Sequence, residues 1–82
     1  MNLIRIIKYT RHLESRLKYW ITTSALVIRF IDGRQSLQFC VQNSRGTETP
    51  GHIAMPIEPL PKLIAELTEL QNELIIAGKI QT

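Results

Sequence analysis

Residues 25–41 read ALVIRFIDGRQSLQFCV, and their pattern decides the fold. Two apolar-rich runs flank Asp32-Gly33, a pair suited to a two-residue hairpin turn because both positions accept positive φ. Counting outward from that turn sets Ile31 against Arg34, Phe30 against Gln35, Ile28 against Leu37 and Leu26 against Phe39. One face of the ribbon then carries Leu26, Ile28 and Phe30 with Leu37, Phe39 and Val41. The other carries Val27, Arg29 and Ile31 with Ser36, Gln38, Cys40 and Gln42. Turn and alternation agree, as they must when one face is buried.

Downstream, NSRGTETPG (residues 43–51) has loop composition. Ile53, Met55 and Ile57 then alternate with His52, Ala54 and Pro56, which predicts a short third strand. Pro56 lacks an amide donor and belongs at an edge or a strand end. Pro59 and Pro61 stand where a helix can start without cost. Leu60, Leu63, Leu67, Leu70 and Leu74 recur at helical spacing, widened by Ile64, with Glu66, Glu69 and Glu73 facing away. Gly78 and Lys79 suit the helix end. Ile75, Ile76 and Ala77 make that end apolar nearly all round, more than one small sheet needs.

Upstream, Leu3, Ile6, Thr10, Leu13, Leu17 and Trp20 recur at three- and four-residue steps, with Arg5, Lys8, Arg11, Arg16 and Lys18 mostly off the stripe. The spacing predicts a basic amphipathic helix ending near Thr22-Thr23-Ser24. Leu3, Arg5, Ile7 and Tyr9 also alternate, so the start fits a strand as well.

A chain of 82 residues makes one domain. At such a size only about 60% of the unfolded surface is buried, and staples or oligomerisation commonly compensate. Cys40 is the single cysteine, so no intrachain disulfide can form, and a lone thiol fits a reducing compartment. His12 and His52 lack the companions of a zinc site. The N-terminal run is interrupted by Arg5, Lys8 and Arg11, so neither a signal peptide nor a membrane span is expected, and an intracellular setting, cytoplasmic or nuclear, follows. Residues 1–34 carry seven bases against two acids, while residues 47–82 carry two bases against five acids. That asymmetry points to a polyanion on one surface and a different role for the other.

No catalytic constellation is expected. Glu66, Glu69 and Glu73 have no histidine or second acidic segment to complete a site. Cys40 and His52 read as a packed thiol and a surface imidazole, and the glycines mark turns. A binding surface remains. Arg29, Gln38 and His52 lie on the less apolar sheet face, with Arg34 and Arg45 at its rim. Guanidiniums track phosphates, while amides meet bases and sugars. Phe30 and Phe39 point to the covered face, so exposed rings would have to be Tyr9, Tyr19 or Trp20.

The stretch VIRFIDGRQSLQFCVQ followed by RGTETPGHIAMPIEPLPKLIAELTEL resembles the PC4-like transcriptional coactivators, which bind single-stranded DNA. The likeness covers residues 25–74: Ile28-Arg29, Gly33-Arg34, Pro50-Gly51 and the run from Ile53. It implies a homodimer paired through the C-terminal helices, with the sheets forming a basic platform for one strand. Arg29 and Arg34 match hairpin positions and are implied phosphate contacts. His52 stands where the family places a basic residue. Cys40, Val41 and Gln42 replace the family's aromatic and basic positions, and the basic N-terminal segment lies outside its core.

The expectation is an α+β domain over residues 1–82. It comprises a basic N-terminal helix within 1–21, a three- or four-stranded antiparallel sheet within 22–58, and a C-terminal helix over 59–78 packed on one face. The expected function is a non-enzymatic, cofactor-free and metal-free homodimer that binds single-stranded DNA or RNA in transcription or replication. Arg29, Arg34, Gln38, Arg45 and His52 would touch nucleic acid, and Leu67, Leu70, Leu74 and Ile75 would form the dimer contact. The alternatives are a protein-interaction module using the amphipathic helices, and residues 3–20 lying on an anionic membrane surface.

Overall fold

The computed structural model describes residues 1–14 and 19–81. Its elements are β1 (Leu3–Glu14), β2 (Tyr19–Ile31), a short 3-10 turn (Asp32–Arg34), β3 (Ser36–Gln42), β4 (Ile53–Pro56) and α1 (Leu60–Ile76). The four strands form one antiparallel sheet in the order β1-β2-β3-β4, with every strand beside its sequence neighbour. The architecture is α+β, as the sequence predicts.

The predicted N-terminal helix is replaced by strands. Residues 3–14 form β1 and residues 19–21 open β2, while residues 15–18 lie outside the described residues. The pairing runs from Leu3 opposite Phe30 to Glu14 opposite Tyr19. Leu3 and Ile7 fall on one side of the ladder and Ile4, Ile6 and Thr10 on the other, so both faces of β1 carry apolar or β-branched side chains. Ile and Thr are stiff at χ1 and favour the pleated surface. What decides is the partner: as a helix, this segment would leave β2 a bare edge along its length.

The hairpin is present, but its turn is longer than two residues. Ile31 pairs with Ser36, Phe30 with Leu37, Ile28 with Phe39 and Leu26 with Val41. Four residues, Asp32–Gln35, make the connection. Gly33 sits inside the 3-10 turn, and the left-handed backbone (φ 46°) falls on Gln35. The Gln35 side-chain amide donates to the Asp32 carbonyl (2.6 Å) and to Asp32 Oδ1 (2.8 Å), holding that uncommon conformation. The pairing differs from the predicted one by two residues. Because side chains alternate with period two, both face assignments survive.

β1 and β4 extend these faces. Leu3, Arg5, Ile7 and Tyr9 join the Leu26–Ile28–Phe30 face, with Ile53 and Met55 across β3. Ile4, Ile6 and Lys8 join the Arg29 face, with Ala54 and Pro56. Arg5 and Lys8, read as one basic stripe on a helix, therefore lie on opposite sides of the sheet.

The core is not where the sequence pattern places it. The buried apolar residues are Ala25, Val27, Leu37 and Cys40, and Val27 is fully enclosed. Three of these four belong to the Arg29 face, with Val27 between its ladder partners Ile6 and Cys40. The expected cover over the Leu26 face is missing: α1 has no buried residue and makes no extended contact with any strand. The helix approaches the sheet at its root, where Leu60, Pro61 and Ile64 share an apolar groove of about 710 Å³ with Leu3, Phe30, Leu37 and Ile57.

The helix limits match the sequence. Pro59 caps it and Pro61 lies in its first turn. At the other end, Gly78 takes φ +73°, its amide donates to the Ile75 carbonyl (3.0 Å), and the Lys79 amide donates to the Leu74 carbonyl (2.9 Å). This pair of bonds is the Schellman ending, which needs a residue free to turn left-handed. No helix among the described residues is long and apolar enough to cross a membrane.

Candidate nucleic-acid interface

The Arg29 face is built by the ladder. Arg29 and Gln38 are direct cross-strand partners, Ile4 flanks Arg29 on β1, and Ala54 flanks Gln38 on β4. One step along the same face, Val27 pairs with Cys40 and Ile6. One step further, Ala25 lies between Lys8 and Gln42. Ala25 is small, and the space above this end is a shallow notch of about 280 Å³ lined by Lys8, Thr23, Gln42 and Asn43 among others. Lys8 is the basic residue that sequence reasoning missed. Its signal was the alternation at the chain start, which separates Lys8 from Arg5 and Tyr9.

The five sequence-predicted contacts divide into groups. Arg29 and Gln38 are adjacent on the face. Arg34 is exposed in the 3-10 turn at one end of β3, and Arg45 is exposed in the turn after the other end. At about 3.4 Å per residue, β3 keeps those two guanidiniums roughly 20 Å or more apart along the strand direction. His52 is exposed just before β4 and lines a cleft of about 350 Å³ with Phe39, Cys40, Val41 and Thr49. It shares that cleft with Cys40, whose sulfur accepts a hydrogen bond from Arg29. Tyr9 is exposed on the opposite face from Arg29, so it adds no stacking ring beside the arginine.

Arg29 does not project freely into solvent. Its guanidinium forms an ion pair with Glu48 and donates to Cys40 Sγ at 3.2 Å. The arginine side chain keeps 28% of its exposure and the glutamate 40%, so the pair lies at the surface. The Glu48 carboxylate, and next the Cys40 sulfur, favour the charged form of Arg29 and raise its pKa. The hydrogen bond from Arg29 in turn holds the Glu48 carboxyl below the usual carboxylate range. The arrangement is a surface guanidinium held by one carboxylate and one sulfur. Among the described residues, no group of three or more His, Cys, Asp or Glu side chains is placed to hold a metal ion.

The residues expected at a dimer contact lie along α1. Leu67 and Leu70 are about half exposed, while Leu74 and Ile75 are partly shielded. The main-chain reversal after Gly78 brings Ile80 beside Leu74, and the two share an apolar depression with Ile64, Leu67 and Leu70.

No protein-family model, no curated protein and no solved structure matches this chain.

Proposed function

We propose that this protein is a small, non-enzymatic, cofactor-free binder of single-stranded nucleic acid that works as a homodimer in transcription or replication. The observation that carries this reading is the sheet face on which Arg29 and Gln38 stand side by side. Ser36, Gln42 and Lys8 share that face, and Arg34 and Arg45 mark its two ends. A guanidinium takes a phosphate in a forked pair of bonds, and amides and hydroxyls take sugars and base edges. A strand laid along β3 would meet charge at both ends and amides between. Stacking rings are lacking beside Arg29, so affinity rests on phosphate neutralisation and falls steeply as salt rises. The half-exposed leucines of α1 support the homodimer, since a helix with an apolar stripe gains stability by burying it.

The test is a salt series of fluorescence-anisotropy titrations with a labelled oligothymidylate. The double variant Arg29→Ala, Arg34→Ala weakens binding to all sequences alike. Because two guanidiniums no longer neutralise phosphates, the slope of log affinity against log salt becomes shallower by roughly 1.4. A double variant that binds as tightly as the parent at moderate salt would remove these residues from the interface.

A second reading, a protein-interaction module, is favoured by one observation. The groove between Leu3, Phe30, Leu37 and the helix root is almost wholly apolar, the kind of surface that takes a partner's side chains. Indifference of the chain to single strands at low salt would favour it.

A further inference from the structure

The loop after β3 places one carboxylate on the nucleic-acid face and fixes its backbone there. Asn43 starts the turn: its Oδ1 accepts from the Arg45 amide (2.9 Å) and the Thr47 amide (3.0 Å). The Asn43 amide donates to the Thr47 carbonyl (3.0 Å), and the Gly46 amide donates to the Asn43 carbonyl (3.0 Å). Gly46 adopts φ +81°, which closes the reversal. The chain returns so that Glu48 bridges to Gln42 in antiparallel register. The next residue is clamped to β3, since the Thr49 amide (2.9 Å) and hydroxyl (3.1 Å) both donate to the Val41 carbonyl. Glu48 is therefore pinned between two anchored neighbours, on the face shared by Gln42, Cys40 and Arg29. Arg29 stretches across the sheet over Cys40 to reach it.

A carboxylate and a phosphate compete for the same guanidinium geometry. The carboxylate is tethered, so it acts at an effective concentration in the millimolar range. A single nucleotide phosphate, present at lower concentration and gripping nothing else, does not displace it. A strand that also engages Lys8, Arg34 and Arg45 does, because its other phosphates offset the cost of the exchange. We propose that Glu48 is a selectivity gate on the nucleic-acid face: it occupies Arg29 until a polyanionic strand displaces it, and so discriminates against mononucleotides. This inference rests on the nucleic-acid reading above. The lowered carboxyl pKa of Glu48 and the raised pKa of Arg29 agree with a formed pair in the unliganded protein.

The experiment uses the full chain and four variants: Glu48→Gln, Arg29→Ala, both together, and Glu58→Gln as a control for net charge. The turn is held by Asn43 and by main-chain bonds, so Gln at position 48 leaves it in place. Two probes are titrated at low salt, a labelled oligothymidylate by anisotropy and thymidine monophosphate by the Arg29 Nε–Hε signal in NMR. Glu48→Gln is expected to bind the oligonucleotide about three- to tenfold more tightly, the range set by releasing a surface ion pair and removing a nearby like charge. Glu58→Gln gains much less. The gain vanishes when Arg29 is already alanine. Thymidine monophosphate moves the Arg29 signal in Glu48→Gln and leaves it unmoved in the parent. Equal oligonucleotide binding by the parent and Glu48→Gln would overturn the gate while leaving the nucleic-acid reading intact. So would a gain that persists without Arg29. If no form binds the oligonucleotide although the Arg29 signal shifts on Glu48→Gln, the ion pair exists but the nucleic-acid reading fails, and the gate fails with it.

Discussion

The sheet and the helix of this protein treat apolar side chains in opposite ways. β2 is flanked by a strand on each side, and its Val27 is fully enclosed by its own chain. Helix α1 carries a longer run of leucines, yet none of its residues is buried. The sheet thus encloses a small core of Ala25, Val27, Leu37 and Cys40 within one chain, through ladder bonds and cross-strand packing, while Leu3, Ile4, Ile6, Ile7 and Ile53 stay exposed. The helix encloses none. A stripe of this kind in water is a surface awaiting cover, and the proposed homodimer would supply it. On that proposal, stability and assembly would be divided between two parts of one small domain.

That contrast can be broken most directly at the helix. Replacing Leu67 and Leu70 together by Glu would force charges into the proposed helix–helix contact, where an unpaired carboxylate costs several kcal/mol. The parent is expected to sediment as a dimer and the variant as a monomer, with dimer affinity weakened at least about a hundredfold and the β-sheet circular dichroism retained. If the sheet signal collapses with the dimer, the two regions form one cooperative unit and the division does not hold. A smaller effect sharpens the sheet side. Val27→Ala removes two enclosed methyl groups and should lower stability by about 2 kcal/mol in urea titrations. A loss under about 0.5 kcal/mol would mean that Val27 is not the centre of the core.

The smallest expected effect concerns the surface pair. The folded pKa of Glu48 is lowered, chiefly by its hydrogen bond from Arg29, with Gln42 and Cys40 as further neighbours. A depressed carboxyl pKa stabilises the fold above the carboxyl's unfolded value, and that contribution is lost as pH falls through the folded value. Carboxyl-carbon NMR should show Glu48 titrating below the usual carboxylate range. Urea midpoints of the parent should approach those of Glu48→Gln as the solution is acidified through that range. A Glu48 that titrates at the ordinary carboxylate value would show the pair to be unformed in solution.

Particular residues show how far the sequence can be read. The two faces of residues 25–41 are legible although the turn is longer than its Asp-Gly pair suggests, because a shift of two residues preserves the parity of every side chain. The helix limits are legible because Pro59, Pro61 and Gly78 act locally. The nature of residues 3–14 is not, since their apolar positions follow a helical stripe and the strand depends on β2 lying alongside. Lys8 escapes a reading of the sequence for the same reason. Arg29 and Gln38 are legible as sharing a face from their parity, but their direct pairing follows from the longer turn. Glu48 is not, because its approach to Arg29 requires the Asn43 turn to fold the chain back on β3. The buried face differs from the expected one because a leucine-striped helix normally covers the more apolar side of a sheet, and here it stands clear of it.

The sequence by itself determined the alternation around Asp32-Gly33, the leucine stripe between Pro59 and Gly78, and the excess of positive charge in the first part of the chain. Each of these is local: a turn, a period or a sum over neighbours. Tertiary structure alone decided that β1 is a strand, that Val27 lies at the centre of the core, and that Arg29 is held by Glu48. Those outcomes depend on pairing between segments distant in the chain, where hydrogen-bond partners and excluded water come from residues whose local pattern carries no record of each other.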